Sequence, residues 1–518
     1  MKKIAIALFI ISFGSTVLGF LREVLFAKEF GASAYTDAYV VATLIPSLFF
    51  SVIGTSITLA IIPQVIKLYT DNTGSYSRYL NSVFTIVLAI SSTITLSVYI
   101  LAPYLANILM LDVQQEAIIE LTAKSLRILA PTIIFYSLIA LIRGVLQAYN
   151  KHIIVAITGY CFNIIIIICM YVASEKIGVL SVAWGTLLGA ILQFLILYRA
   201  LNKQGYSYSK HVDFKDEILL KTKSLILPII LSTGAYEFSV LINRSMASKL
   251  DEGSVSALNY SNILYTFPIL LISANIVTLM YPIMSKYLLS GNKKSFLLHF
   301  EEGLEWMLFL LVPVVAIYVW FSDEIVRIVF QRGHFDASAT VKTAAALSML
   351  AIGIIPCSIR DLINRAYFAL DNTRIPMYIS VVTMLINVIL NFLFIDVWGI
   401  KGLAFSISLA FTLGLIIQML MFNKMYKYNI FMKCLNPLLK TIVPAFIMIS
   451  VLLFLSKVLI GNVIGEGLRG IFTIVLLAVG LLIYVLICYL IKLTSAVKMI
   501  SYFKWFIMSL LKVNKRND

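Results

Sequence analysis

The sequence predicts an all-α polytopic membrane protein of fourteen transmembrane helices: two parallel-repeat six-helix lobes around a central cavity, plus two extra C-terminal helices. Three observations carry this expectation. The 518 residues are 61% hydrophobic and 13% charged, with a mean hydropathy of +0.96, whereas soluble domains run at about 45–50% apolar and about 25% charged. Apolar segments of about 20 residues, enough to cross about 30 Å of hydrocarbon, follow one another along the whole chain. The sequence also repeats itself at an interval of about 220 residues, the length of six spans, so the halves share one orientation.

In order, the spans are expected at 4–28, 36–66, 80–108, 128–148, 153–174, 179–200, 225–248, 254–285, 303–322, 338–368, 375–397, 402–423, 437–460 and 470–492. They divide into an N-terminal lobe (1–201), a basic cytoplasmic linker (202–224), a C-terminal lobe (225–424), helices 13 and 14 (425–492) and a basic interfacial tail (493–518). The N-terminal "MKKIAIALFI" is followed by no small-residue cleavage site, and its apolar run continues past Thr16, so it reads as the first span. The loop carrying Lys203, Lys210, Lys215, Lys221 and Lys223, the stretches "KYLLSGNKK" and "NKMYKYNIFMKC", and the tail "LLKVNKRND" are basic. With an even number of spans they share one side with both termini, which the positive-inside rule makes the cytoplasm. The opposite loops, "MLDVQQEAIIE" and "KLDEGS", are acidic or mixed.

Three pairs of segments carry the repeat: 53–69 with 272–288, 146–165 with 367–386, and "GVLSVAWG" (178–185) with "GIKGLAFS" (399–406). Spans 13 and 14 fall outside it. The first two spans of each half bear polar stripes at helical spacing. These are Ser12, Ser15, Gly19 and Arg22; Thr43, Ser47, Ser51, Gly54 and Thr58, with Pro46 able to bend the helix; Thr233, Glu237, Arg244 and Ser248; and Asn259, Asn262, Thr266 and Ser273. Small hydroxyl residues alone would only let helices pack closely. A charge in mid-span costs at least about 2.5–3.5 kcal/mol on insertion scales, so Arg22 and Arg244 are expected to face a wet chamber. Glu23 points about 100° away from Arg22 on an ideal helix and is expected to pair with another helix. Lys28 and Glu29 are expected at the outer headgroup level. The fifth span, "CFNIIIIICMYVA", reads as almost wholly lipid-like. Arg143, Arg360, Asp361 and Arg365 lie near the cytoplasmic ends of spans 4 and 10, where anchoring between helices or lipid headgroup contact is expected. The stretch after span 14 has the alternation of an interfacial amphipathic helix.

Guanidinium groups in such a chamber suit an anionic ligand, because the planar fork matches phosphate oxygens. The chain lacks GxxxxGK[ST], HExxH and GxSxG, so neither a nucleotide-driven machine nor an enzyme is expected. Its net charge of +16 sits in membrane-flanking loops, which argues against a nucleic-acid partner. The five cysteines lack CxxC spacing and the four histidines lack metal-ligand spacing, so neither a disulfide framework nor a cofactor is expected. Energy would come from the membrane potential, an ion gradient or substrate flux.

The stretch "VLGFLREVLFAKEFGASAYTDAYVVATLIPSLF", together with "FQRGHFDASATVKTAAALSMLAIGIIP" and "NTRIPMYISVVTMLINVILN", resembles the MurJ (MviN) family of the multidrug/oligosaccharidyl-lipid/polysaccharide (MOP) exporter superfamily. The resemblance covers essentially the whole chain. It implies a bacterial plasma-membrane flippase that moves lipid II, an undecaprenyl-linked cell-wall precursor, to the outer leaflet by alternating access. A cationic cavity, a tail groove from the last two helices, membrane lipids and cell-wall synthases as partners are implied with it. Arg22 matches an essential cavity Arg, Glu23 an acidic position beside it, and Asp37 the Asp of the "TDA" motif. Other positions with family cavity Arg are here Thr16, Phe50 and Ile263, and a family Glu is Thr55. Arg244 would restore one positive charge from the seventh span, partly neutralised by pairing with Glu237. Asn243, Asn387 and Asn391 are the nearest matches to a family cation site, without carboxylates. The expected substrate-binding set is Arg22, Arg244, Glu237, Ser15, Thr16, Ser47, Ser51, Thr55 and Asn262, with Glu23, Asp37 and Pro46 in conformational roles. Two other cargoes stay open: another undecaprenyl-linked oligosaccharide for a capsule or wall polymer, and a drug moved by a cation-coupled antiporter of the related branch. A scaffold that transports nothing is the remaining class, and it predicts that Arg22→Ala is harmless.

Overall fold

The computed structural model describes residues 2–54, 56–58, 61–62, 64–65, 75–209, 230, 234–235, 237–370, 372–426, 428–459 and 466–501. Among them every regular element is helical. Eleven helices are long and apolar enough to cross a membrane, or twelve if the pair Ala337–Ala351 and Ile354–Ala369, bent by 43°, is one span. The bent pair falls on the expected tenth span. Arg374–Tyr426 is continuous except at Gly399, whose φ of 55° and ψ of −129° separate the eleventh and twelfth expected spans. The seventh expected span lies partly outside the described residues, so the count of fourteen stays an expectation.

Two compact units are present: Met1–Tyr260 with Phe330–Ala339, and Ser261–Val329 with Thr340–Asp518. The division therefore falls after Tyr260 and not in the 202–224 linker. Side-chain and backbone bonds from the first two spans to 253–260, given below, place that segment in the first unit.

Local geometry supports the internal repeat. Helix Ala34–Ala42 breaks at Thr43 and resumes over Leu44–Leu48, and Phe49–Gly54 is π-helical; helix Ser254–Pro268 likewise passes into the π-helix Ile269–Ser273. Each π segment follows a proline, Pro46 or Pro268. The anticipated bend at Pro46 is thus a short break followed by this bulge. Gly178, at φ 56° and ψ −138°, and Gly399 take the same conformation at the starts of equivalent segments.

The outer end of the first span, opposite the basic loops, is closed by backbone. The His334 N–H donates to the Lys28 carbonyl at 2.9 Å, and the Tyr260 hydroxyl donates to the Gly31 carbonyl at 3.1 Å. Glu29 accepts from the Ser174 hydroxyl at 2.8 Å, so at this outer end it braces the fifth span. Gly253 sits at φ +81°, and a Cβ there would collide with the Ala32 carbonyl oxygen. Left-handed backbone alone costs a side chain about 1–2 kcal/mol. Gly253→Ala is therefore expected to lower the melting temperature of the purified protein by several degrees; an unchanged melting curve would refute the close approach.

In the second unit, the hydroxyl of buried Tyr484 donates to the Phe309 carbonyl at 2.9 Å, tying the fourteenth expected span to the ninth. Residues 494–501 are helical, and Lys498 meets Glu302 at 2.5 Å while Ser495 donates to Glu305. The start of the expected interfacial tail is thus held to the ninth span.

Candidate functional site: a charged cavity in the first unit

The first unit holds a partly open cavity of about 370 Å³, within the range of small-molecule sites. Arg22 and Glu23 from the first span, with Tyr39, Thr43, Pro46, Ser47 and Phe50 from the second, form one wall. The fourth span adds Tyr136 and Arg143, the sixth Thr186 and Gln193, and Asn259 also lines it. A neighbouring cavity of about 460 Å³ is lined by Ser12, Ser15, Gln147 and His152, and it shares Arg143 and Gly159 with the first.

Arg22 is the charged centre. Its guanidinium donates to Asn163 Oδ1 at 3.0 Å and pairs with Glu23. The pairing corrects the expectation that Glu23 turns to another helix: adjacent Cβ atoms diverge, but both side chains are long enough to curl together at the cavity edge. It also leaves Arg22 locally half-neutralised. Asn163 in turn donates to the Gly159 carbonyl at 2.9 Å. The fifth span is therefore not simply lipid-like. Asn163 is buried, and Gly159, Phe162, Ile166 and Met170 line the cavity. First and fifth spans touch at small residues, since a Cβ on Gly159 would run into the Ser15 hydroxyl and one on Gly14 into Tyr160.

A lone Asn within ten apolar residues was the available signal, because an unpaired amide in a bilayer is costly. A hydrogen bond to a charged group contributes about 1.5–3 kcal/mol, so Asn163→Ala is expected to reduce transport by about tenfold or more while Asn163→Gln retains part of it. Equal rates for all three proteins in a vesicle assay would show that the brace is idle.

The other expected residues separate into three groups. Ser47 and Pro46 line the cavity and Ser15 its neighbour. Ser51 bonds Glu237, which also feels the charge of Arg244, and Arg244 donates to cavity-lining Asn259 at 2.7 Å. Arg244 therefore reaches the site through Asn259. Thr16 is exposed, bonds its own helix at the Ser12 carbonyl, and lines neither cavity. Asn262 belongs to the second unit and lines neither, and Thr55 lies outside the described residues.

Asn243, Asn387 and Asn391 are buried; Asn387 reaches Asn391 at 3.5 Å in the second unit, while Asn243 reaches Ser239 at 3.5 Å in the first. Among the described residues no group of three His, Cys, Asp or Glu is placed to hold a metal. Arg143, expected as an anchor or headgroup contact, instead faces both cavities.

Asp37 works at the closed outer end. Its buried carboxylate accepts from Gly253 N at 2.8 Å through Oδ2, and from Ser256 N at 2.7 Å and Ser256 Oγ at 2.5 Å through Oδ1. It caps the helix beginning at Ser254 from another span, satisfying N–H groups that have no partner within the helix.

A bundle of long apolar helices with a half-buried, partly paired guanidinium lining a cavity defines a multi-pass membrane transporter, and solved structures share the fold. One described as an inward-facing conformation of a multidrug resistance MATE family transporter of the MOP superfamily matches with a TM-score of 0.69 at 13% identity, over 80% of this chain and 97% of that one. The model of the family "Lipid II flippase MurJ" matches residues 26–472, and the chain belongs to that family. A structure of lipid II flippase MurJ in an inward closed conformation matches with a TM-score of 0.81 and 26% identity, over 94% of this chain and 98% of that one. Relatives named probable lipid II flippase MurJ include those of Buchnera aphidicola subsp. Schizaphis graminum, 26% identical over 91% of this chain and 93% of the relative, and Bdellovibrio bacteriovorus, 28% identical over 83% of each. The protein is thus a multi-pass protein of the bacterial inner membrane.

Proposed function

We propose that the protein is a flippase that carries lipid II, a polyprenyl-pyrophosphate-linked cell-wall precursor, from the cytoplasmic to the outer leaflet by alternating access. The observation that carries this reading is Arg22 lining a cavity of a chain belonging to the lipid II flippase family. The cavity offers an anionic head a guanidinium fork ringed by hydroxyl and amide groups, and it withholds that fork from lipid tails. The isoprenoid tail needs no wet chamber, and helices 13 and 14, outside the repeat, offer it an apolar lane. Both termini and the basic loops face the cytoplasm, where the precursor is made. The membrane potential or a monovalent cation supplies the drive, and cell-wall synthases take the delivered product.

Depletion in a strain that relies on this gene, followed by rescue with an unrelated lipid II flippase, tests the reading. Rescue is expected; failure of rescue contradicts lipid II as cargo. One observation favours the sibling cargo, another undecaprenyl-linked oligosaccharide. Phe50, at a position where the resemblance implies Arg, lines the cavity and packs on Tyr136 with ring centroids 4.8 Å apart. Binding competition between lipid II and a second undecaprenyl-linked glycan separates the two.

A further inference from the structure

We propose that Arg143 forms an anion subsite of its own at the junction of the two cavities, taking the pyrophosphate group of the cargo on its way from the basic side to Arg22. The proposal rests on the flippase reading and adds a residue that neither the stripes nor the resemblance singled out.

Position is the first support. Arg143 and Gly159 are the residues common to both cavities. The cavity that holds Arg22 is bounded there by Arg143, and the other cavity continues past it to Gln147 and His152, beside the turn joining Thr132–Ala148 to His152–Ile177. Arg143 stands five residues before the helix end at Ala148, about 7.5 Å along the axis at 1.5 Å per residue. An anion leaving the basic face for the inner cavity therefore passes this side chain before it meets Arg22.

Charge is the second support. Arg22 is already bound to Glu23 and Asn163. Among the described residues no carboxylate stands within ion-pair distance of Arg143, and its Nε is buried with no hydrogen-bond partner. A buried donor left open is costly and calls for an acceptor. An Arg that merely anchored one helix to another would spend this N–H on a neighbouring carbonyl. Polar neighbours complete the subsite: Tyr136 is close enough to interact electrostatically with the guanidinium, and Ser15, Gln147 and His152 line the adjoining wall. One face of a guanidinium with a free Nε and an adjacent terminal nitrogen matches two oxygens of a phosphate.

The chemistry recognised is a pyrophosphate, free or lipid-linked, and the test separates these sources. Purified full-length protein, its Arg143→Gln and Arg143→Lys variants and Arg22→Gln are titrated with inorganic pyrophosphate, geranyl pyrophosphate and phosphatidylglycerol in detergent. Geranyl pyrophosphate is expected to bind more tightly than inorganic pyrophosphate. Arg143→Gln is expected to weaken it by about tenfold or more, with Arg143→Lys recovering only a small part of the loss, because the charge remains but the planar fork does not. Equal binding by wild type and Arg143→Gln, preference for phosphatidylglycerol, or no pyrophosphate binding by the wild type would each overturn the subsite.

Chemical protection repeats the test in the unaltered protein. Geranyl pyrophosphate is expected to shield Arg143 from phenylglyoxal, read by peptide mass spectrometry, whereas sulfate at equal ionic strength does not; equal modification in both would overturn it. The cargo reading fails separately, if lipid II is not translocated although Arg143 still governs pyrophosphate binding. The subsite fails alone if Arg143→Gln binds and translocates lipid II as wild type does.

Discussion

Arg22→Ala is expected to abolish lipid II translocation in proteoliposomes, with a fall of about two orders of magnitude or more. Truncating one partner of a buried, hydrogen-bonded charge contact costs about 2–5 kcal/mol, and 1.4 kcal/mol is tenfold. Part of that loss would come from Glu23, left in the cavity without its guanidinium. The double variant Arg22→Ala/Glu23→Gln separates the two causes. It is expected to recover the wild-type melting temperature, because the stranded charge is gone, but not the transport, because the anion has lost its fork. Arg22→Lys keeps the charge without the planar geometry and is expected to retain a few per cent of the rate. Full activity of Arg22→Ala would instead fit a scaffold that moves nothing.

Asp37→Ala has the second largest expected effect, and it acts at the opposite end of the mechanism. The carboxylate gathers three donors from Gly253 and Ser256 in a buried setting. Removing it strands two backbone N–H groups, for a loss on the order of 3 kcal/mol in the closure. Asp37→Asn is nearly as harmful, since its amide NH₂ would face one of the same donors. Amide exchange over 249–257 is expected to accelerate by about a hundredfold, the factor that corresponds to such a loss when opening is local, and transport is expected to fall because the outer side no longer holds shut. Unchanged exchange in this segment would mean that the cap carries no part of the closure.

Much of this architecture is written in periodicity. Apolar runs place the helices, and the interval of about 220 residues recurs in local backbone as well as in side-chain type, down to two π segments and two left-handed glycines. Arg22 and Ser47 could be placed on the cavity because three- and four-residue steps align them on helical faces, whereas Pro46 is legible only as a bend.

The rest depends on tertiary partners that periodicity does not encode. Asn163 sits alone in an apolar run, and its value shows only when Arg22 is opposite. Arg143 lies near a helix end, where an arginine usually has an interfacial role, and nothing local tells that two hollows meet there. The pairing of Glu23 with Arg22 escaped an ideal helical projection because that projection fixes Cβ directions and not the reach of long side chains. Thr16 enters the expected set through the resemblance and not through the stripe, and it lines neither cavity.

The most direct test of the central claim, a hydrated cationic cavity within the first unit, is charge-selective labelling of Ser47→Cys in a background where Cys161, Cys169, Cys357, Cys434 and Cys488 are replaced. Ser47 lines the cavity that holds Arg22. A small anionic methanethiosulfonate is expected to modify the thiol in native membranes faster than a cationic one of similar size, and Arg22→Gln is expected to erase that preference. No modification until the protein is denatured, or a preference for the cation, would contradict the account.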